Sequence, residues 1–448
     1  MKTKYIAFIC TIFALLFGGI QESDAQFWKK LKKKAEQRAK ETIERKVEEK
    51  TEQKTEQAID SIFDITEKKG KKKKSTEQET DLDFPPLPED QIPVEEIELP
   101  KEETTFEAYS KNDFTPGAKV LGYEDFSQDA VGDLPANWNT NLSAEVVTLS
   151  THPGNWMQIG LGKGTFVADF LKEIPENFTL EFDLIYNFDI DSWAYSRSFG
   201  VVLSDSEDPN YEMNREWPGK NLLVMKLMAH VGSEYFKRTP NTKLNGSARN
   251  KIDELNKGSD FRGKVLHVSV WRQKSRVRMY VNGNKIFDVP RAFENGVSIQ
   301  TVRFQSHISE QDEFFYLGNV RYAVGKPDMR NKLLSEGKLV TYGITFDTAS
   351  AIIKPESHGT LKKIASILKQ NPEVNVTVVG HTDADGDANY NMDLSMMRAA
   401  AVEQALIQQF GVSETQLSSE GKGETQLLDT GSDPESKARN RRVEIIKI

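Results

Sequence analysis

Between residues 120 and 324 the apolar residues of this 448-residue chain recur at every second position, a period that suits strands with one face on a core. Leu180, Phe182, Leu184 and Tyr186 alternate with Glu181, Asp183 and Ile185, and Leu266, Val268 and Val270 alternate with His267, Ser269 and Trp271. Val277, Met279 and Val281 alternate with Arg276, Arg278 and Tyr280 and lead into Asn282-Gly283. That pair suits a two-residue hairpin turn, whose central positions both need positive φ. Further runs lie at 199–203, 222–228, 297–304 and 314–322, with no helical pattern between them. The expectation is an all-β sandwich of two antiparallel sheets over residues 115–327, with Glu181 and Asp183 on its solvent face.

From residue 338 the period changes. Residues 339–346 read as a strand, Leu361, Ile364, Ala365 and Leu368 follow helical spacing, and Val374, Val376 and Val378 alternate again. Leu394, Met397, Ala401 and Ala405 mark a second helix, which Gly411 is placed to stop. A late strand over 442–448 is apolar on both faces, as in a sheet covered on both sides. Residues 335–448 are therefore expected to form an α/β domain.

The first 114 residues carry a different signal. Lys2 and Lys4 precede an apolar run to Gly19, and Ser23-Asp24-Ala25 offers small residues for cleavage, so residues 1–25 read as a signal peptide. Residues 26–74 hold seventeen Lys and Arg against ten Asp and Glu, almost without Gly or Pro, and read as a charged helix. It serves as a solvated spacer, a self-associating or coiled-coil helix, or, through Phe27, Trp28 and the adjoining lysines, a foot on an anionic membrane. Residues 75–114 form an acidic linker punctuated by Pro85, Pro86, Pro88, Pro93 and Pro100. The net charge of −9 is thus a sum over opposed segments, and with no broad basic face it argues against a nucleic-acid partner. Cys10, the single cysteine, lies within the signal peptide, which excludes disulfides and thiolate metal sites. Six scattered histidines, without an H-x-x-x-H pair, suggest no metal, and no motif calls for a cofactor.

In the α/β region, Gly380-His381-Thr382-Asp383, then Asn391-Met392-Asp393-Leu394-Ser395-Met396-Met397-Arg398, and finally Asn440-Arg441-Arg442-Val443-Glu444 occur in an order that resembles the OmpA-like peptidoglycan-binding family. Phe346-Asp347 and Gly421-Lys422-Gly423-Glu424 fit the same pattern. The resemblance implies two helices packed on a mixed sheet and binding of the peptide stem of peptidoglycan by Asp383 and Arg398. The backbone near Asp347, together with Asn391 and Leu394, would line the pocket, with Arg441 beside it. The chemistry suits that role. Asp383 follows a strand and Arg398 lies in the next helix, so both can face the crevice at the strand's carboxyl end. Diaminopimelate in the stem carries an ammonium for the carboxylate and a carboxylate for the planar guanidinium. Asp383, Asp385 and Asp387 also mimic a calcium loop, but the glycine and distal glutamate of that motif are misplaced.

His267 through Asp288 resembles the strand pair of concanavalin-like and laminin-G-like jelly rolls, which implies a carbohydrate or protein ligand for the sandwich by analogy of fold alone. Exposed aromatics such as Trp193, Tyr195 and Trp217 would serve a sugar. Glu181 to Tyr186 overlays the E-x-D-x-x-E strand of family 16 glycoside hydrolases with Tyr186 in place of the second glutamate, and a retaining mechanism needs both carboxyl groups. The sequence thus reads as a non-enzymatic, exported protein of the periplasm or outer membrane of a diderm bacterium, anchored to peptidoglycan. The alternative is a polysaccharide hydrolase, or a lectin or adhesin, localised by the same C-terminal domain.

Overall fold

A computed structural model describes residues 113–448 apart from 173, 191–196, 211 and 326–327. The signal peptide, the charged helix, the linker up to residue 112, Trp193 and Tyr195 lie outside the described residues. The central region is built from β1 (Lys119–Glu124), β2 (Trp138–Thr140), β3 (Ala144–Thr148), β4 (Asn155–Ile159), β5 (Gly162–Ala168), β6 (Asn177–Tyr186) and β7 (Ser198–Ser204). It continues through β8 (Leu222–Met228), β9 (Gly232–Arg238), β10 (Gly246–Asn250), β11 (Leu266–Gln273), β12 (Arg276–Val281), β13 (Asn284–Val289), β14 (Thr301–Ile308) and β15 (Phe315–Val324).

These strands form two antiparallel sheets. One runs β13-β12-β11-β6-β15-β4-β3, with β1 also on β15, and the other runs β10-β9-β8-β7-β14-β5-β2. The alternation seen in the sequence sends Leu180, Phe182, Leu184, Val268, Val270, Met279 and Tyr322 from the first sheet to meet Phe199, Val201, Leu223, Met225 and Phe304 from the second. Phe182 and Phe304 meet edge to face at 5.3 Å, a favoured arrangement for two ring quadrupoles. The Asn282-Gly283 turn joins β12 to β13 with φ of 47° and 76°, as expected.

The opposite faces of the two sheets are also occupied. On the second sheet, the buried guanidinium of Arg303 donates to the carbonyls of Glu212 (3.0 Å) and Arg215 (3.1 Å), and Trp217 stacks on Phe236 at 5.3 Å. The outer face of the first sheet corrects the sequence expectation. Glu181 and Asp183 do not face solvent; they are 3% and 4% exposed, because the C-terminal domain lies against that face. Phe114 seals one part of this junction, buried against Trp271 and Tyr280, while its carbonyl abuts Gly359 of the C-terminal domain so closely that a Cβ there would sit 2.2 Å away.

The C-terminal domain contains α1 (Met329–Leu334), β16 (Lys338–Thr341), α2 (His358–Lys369), β17 (Val376–Gly380), α3 (Ala388–Gln408), β18 (Leu417–Gly421), α4 (Pro434–Asn440) and β19 (Val443–Lys447). Its mixed sheet runs β16-β19-β17-β18, with β17 and β18 parallel. Leu361, Ile364 and Leu368 of α2, Val402 and Leu406 of α3, and Met329 and Leu333 of α1 pack with Val376, Val378 and Ile445 of the sheet. The strand expected over 339–346 is shorter: it ends at Thr341, and Phe346 instead forms an isolated bridge with Ile353 across a loop. Gly411, at φ 65°, ends the long helix by donating its N–H to the Ile407 carbonyl.

Candidate binding cleft

A cleft of about 740 Å³ opens at the carboxyl end of β17, between the C-terminal domain and the outer face of the first sheet. Two glycines let a helix come close to that strand end. A Cβ on Gly380 would lie 2.3 Å from the Ser395 carbonyl, and one on Gly421 would lie 2.4 Å from the Met396 nitrogen. Beyond the strand, His381 N–H donates to the Arg442 carbonyl and Thr382 N–H to the Gly423 carbonyl, which fixes the path of the chain to Asp383. Asp387 caps α3 by accepting from the Tyr390 N–H at 2.9 Å. Asn391, buried in the first turn, donates from Nδ2 to the Asp385 carbonyl (2.9 Å) and to Glu424 Oε2 (2.8 Å), tying the loop to the helix.

The structure brings five of the six expected residues into the cleft lining: Asp383, Arg398, Asn391, Leu394 and Arg441. Asp347 does not line it with its side chain; its carbonyl accepts from Arg398 Nη2 at 3.5 Å. Arg398 Nε donates to the Ser350 carbonyl at 2.9 Å, and its guanidinium lies 5.1 Å from the Phe346 ring centre. Burial lowers its pKa from the ordinary arginine value, and nearby Asp383 partly opposes that. Nη1 of Arg398 has no hydrogen-bond partner among the described residues. Asp383 Oδ2 accepts from Arg441 Nη1 at 2.6 Å. Burial works against the Arg441 charge, but Tyr123 and Asp383 outweigh it, and its pKa is raised.

The second wall of the cleft is not expected from the sequence. Tyr123, Asp125, Trp156, Glu181, Asp183, His267, Asn319 and Arg321 line it from the sandwich, so the Arg441 guanidinium meets the Tyr123 ring at 5.3 Å. Tyr123 Oη donates to Asn319 Oδ1 (3.0 Å), and Asn319 Nδ2 donates to Asp183 Oδ2 (2.8 Å). Asp183 Oδ1 meets His267 Nδ1 at 2.7 Å, and His267 Nε2 lies 3.7 Å from Glu181 Oε2. Arg321 Nε donates to Glu181 (3.0 Å), and its Nη1 crosses to the Tyr342 carbonyl of the C-terminal domain (2.9 Å). Burial alone would neutralise these groups. Glu356, Asp183 and Glu181 together push the His267 pKa up to about 10, while Arg321 and His267 hold the Glu181 and Asp183 pKa values below the usual carboxylate range. The sequence marks Glu181 and Asp183 only as a hydrolase-like strand; nothing in it flags Arg321, 140 residues away.

The hydrolase overlay fails on geometry. Tyr186 points into the sandwich core, where its Oη donates to the Glu254 carbonyl at 2.7 Å, so the position of the missing glutamate faces away from the cleft. The two carboxylates that do face it are held ionised, and neither is poised to protonate a leaving group.

Residues 345–441 match the OmpA family. The probable lipoprotein YiaD of Escherichia coli is 43% identical over 102 residues, 23% of this chain and 46% of that protein. The peptidoglycan-associated lipoprotein of Pseudomonas putida is 42% identical over 102 residues, 23% of this chain and 60% of that protein. The crystal structure of the peptidoglycan-associated lipoprotein from Burkholderia pseudomallei shares 28% identity, covering 27% of this chain and 98% of that chain with a TM-score of 0.24. This chain therefore spans about half the length of the curated relatives it matches. No helix among the described residues is long and apolar enough to cross a membrane. The C-terminal part of the chain, which carries Asp383, Arg398 and Arg441, is an OmpA family domain.

Proposed function

We propose that this protein anchors to peptidoglycan by holding the diaminopimelate-containing stem peptide in the cleft beside β17, as a binding protein and not an enzyme. Its similarity to proteins named as outer-membrane porins and peptidoglycan-associated lipoproteins supports a location in the envelope, in the periplasm or at the outer membrane. The observation that carries the reading is the meeting of Arg398 with Asp383 in one partly buried cleft. Arg441 occupies Asp383 Oδ2 and orients the carboxylate, leaving Oδ1, which among the described residues has only the Asp385 N–H at 3.3 Å, for a ligand ammonium. Arg398, held through Nε by Ser350, presents Nη1 to the ligand carboxylate. Hydrogen bonds to charged groups contribute roughly 1.5–3 kcal/mol each, so a zwitterion gains over a singly charged group. The affinity per site need not be high, because a polymer of repeating stems retains the protein by effective concentration.

The test is co-sedimentation of the full-length protein with isolated peptidoglycan, beside Asp383→Ala and Arg398→Ala. Each variant is expected to bind at least about tenfold more weakly while melting near the wild-type temperature. Undiminished binding by both would remove the pocket.

A further inference from the structure

The cleft is larger than one zwitterionic end requires. Its volume of about 740 Å³ lies in the range that buries most of a drug-sized molecule, whereas Asp383 and Arg398 account for one ammonium and one carboxylate. The remaining space is bounded by the sandwich, and that wall is unusually specified. Asn319 stands at φ 49°, a left-handed conformation that side chains rarely adopt, where the register of β15 slips between Gly318 and Arg321. The slip turns Asn319 into the cleft, where Tyr123 and Asp183 fix its amide from both sides. Trp156 packs closely against Gly318, where a Cβ would come within 2.7 Å of its ring. Its side chain lines the cleft and is 4% exposed, and its buried Nε1–H has no hydrogen-bond partner among the described residues. On the facing wall the Oγ1 of Thr382, a residue 3% exposed, is likewise without a partner among the described residues. Buried donors without acceptors are rare and costly, and a ligand that supplies acceptors removes the cost. Lys354 completes the frame from the C-terminal domain, with Asp183 as an electrostatic neighbour.

We propose that the sandwich forms the second wall of the binding site, and that the peptide main chain leading away from the zwitterionic end runs along it. Peptide carbonyls accept from Trp156 Nε1–H and Lys354, and peptide N–H groups donate to the side-chain oxygens of Asp125 and Asn319. A peptide presents these donors and acceptors alternately. A sugar ring would call for an open aromatic platform, but Trp156 is covered by Gly318 and Tyr123 faces Arg441. This inference rests on the proposed function and adds a specificity: the protein reads the stem beyond its diamino acid.

The experiment is calorimetric titration of the full-length protein with free meso-diaminopimelate, with a diaminopimelate-containing stem tetrapeptide, and with the peptide-free glycan disaccharide. Trp156→Phe keeps a ring on Gly318 and removes the N–H, and Asn319→Gly accepts the positive φ and removes the amide. Each is expected to weaken tetrapeptide binding about fivefold and to leave diaminopimelate binding unchanged, whereas Arg398→Ala weakens both. The inference is overturned if both wall variants bind the tetrapeptide as the wild type does, if they lose diaminopimelate equally, or if the disaccharide is the ligand they lose. Failure of the wild type to bind either diaminopimelate or the tetrapeptide would instead overturn the underlying function, and the second wall with it.

Discussion

His267 is the group through which pH acts on the junction between the sandwich and the OmpA family domain. Burial by itself would lower its pKa, but Glu356 of the C-terminal domain, with Asp183 and Glu181 of β6, raises it from 6.5 to about 10. A histidine whose folded pKa is raised contributes its full stability below the unfolded value and loses it as pH climbs through the folded one. One pKa unit corresponds to about 1.4 kcal/mol, so the charged imidazolium contributes on the order of 4–5 kcal/mol at about pH 6 and nearer 3 kcal/mol at about pH 8. Substituting His267→Gln keeps a hydrogen-bonding side chain and removes the proton. The assay is urea unfolding of both proteins at the two pH values. Taking the difference between them removes His152, His307 and His358, whose lowered pKa values act in the opposite sense. The stability advantage of the wild type is expected to shrink by about 2 kcal/mol from pH 6 to pH 8. An advantage that stays constant across this interval, or that grows, would refute the assignment of a protonated His267 to this junction.

Two further substitutions test what holds the fold. Phe114→Ala empties the apolar seal between Trp271 and Tyr280, and because Phe114 is 2% exposed it is expected to cost about 3–5 kcal/mol and to split one calorimetric transition into two. Glu444→Gln removes the carboxylate that accepts from Arg442 Nε (2.8 Å) and pairs with the Lys338 ammonium (2.7 Å) beneath His381, leaving a buried guanidinium without its counter-charge at a cost of about 3–5 kcal/mol near neutral pH. Burial would raise the Glu444 pKa, but His381, Lys338 and Arg442 hold it well below the ordinary value of 4.5. The gap between wild type and variant in chemical denaturation should therefore narrow as pH falls below that value, since the unfolded chain then takes up a proton at this carboxyl that the folded protein does not bind until much lower pH.

The expected pocket residues are legible because each is carried by a local signal. Asp383 follows a period-two strand, Arg398 lies on the helix that follows, and the glycines at 380 and 421 mark where that helix meets the strand ends. Asp347 is expected to contribute through its backbone, on the family resemblance alone; its carbonyl accepts from Arg398, and a backbone group leaves no mark of its own in the side-chain pattern. The short β16 follows the same logic. An apolar run over 339–346 reads as one strand, yet only residues 338–341 find a partner in β19, and the rest turns away to bridge Ile353.

Alternation along β6 determined which side chains face the sandwich core and which face away, because the pleat leaves no other choice. It could not determine what lies on the other side. Water and a second domain both call for polar residues there, and Glu181, Asp183 and His267 fit either. Only the tertiary structure decided between them. It set Arg321 opposite Glu181 in the register of β15 on β6, 140 residues apart along the chain, and laid the OmpA family domain over the pair. A one-dimensional pattern encodes the direction of a side chain, but the neighbour it meets is fixed by strand pairing and domain packing. The polar face that alternation alone would leave to solvent is for that reason a wall of the cleft.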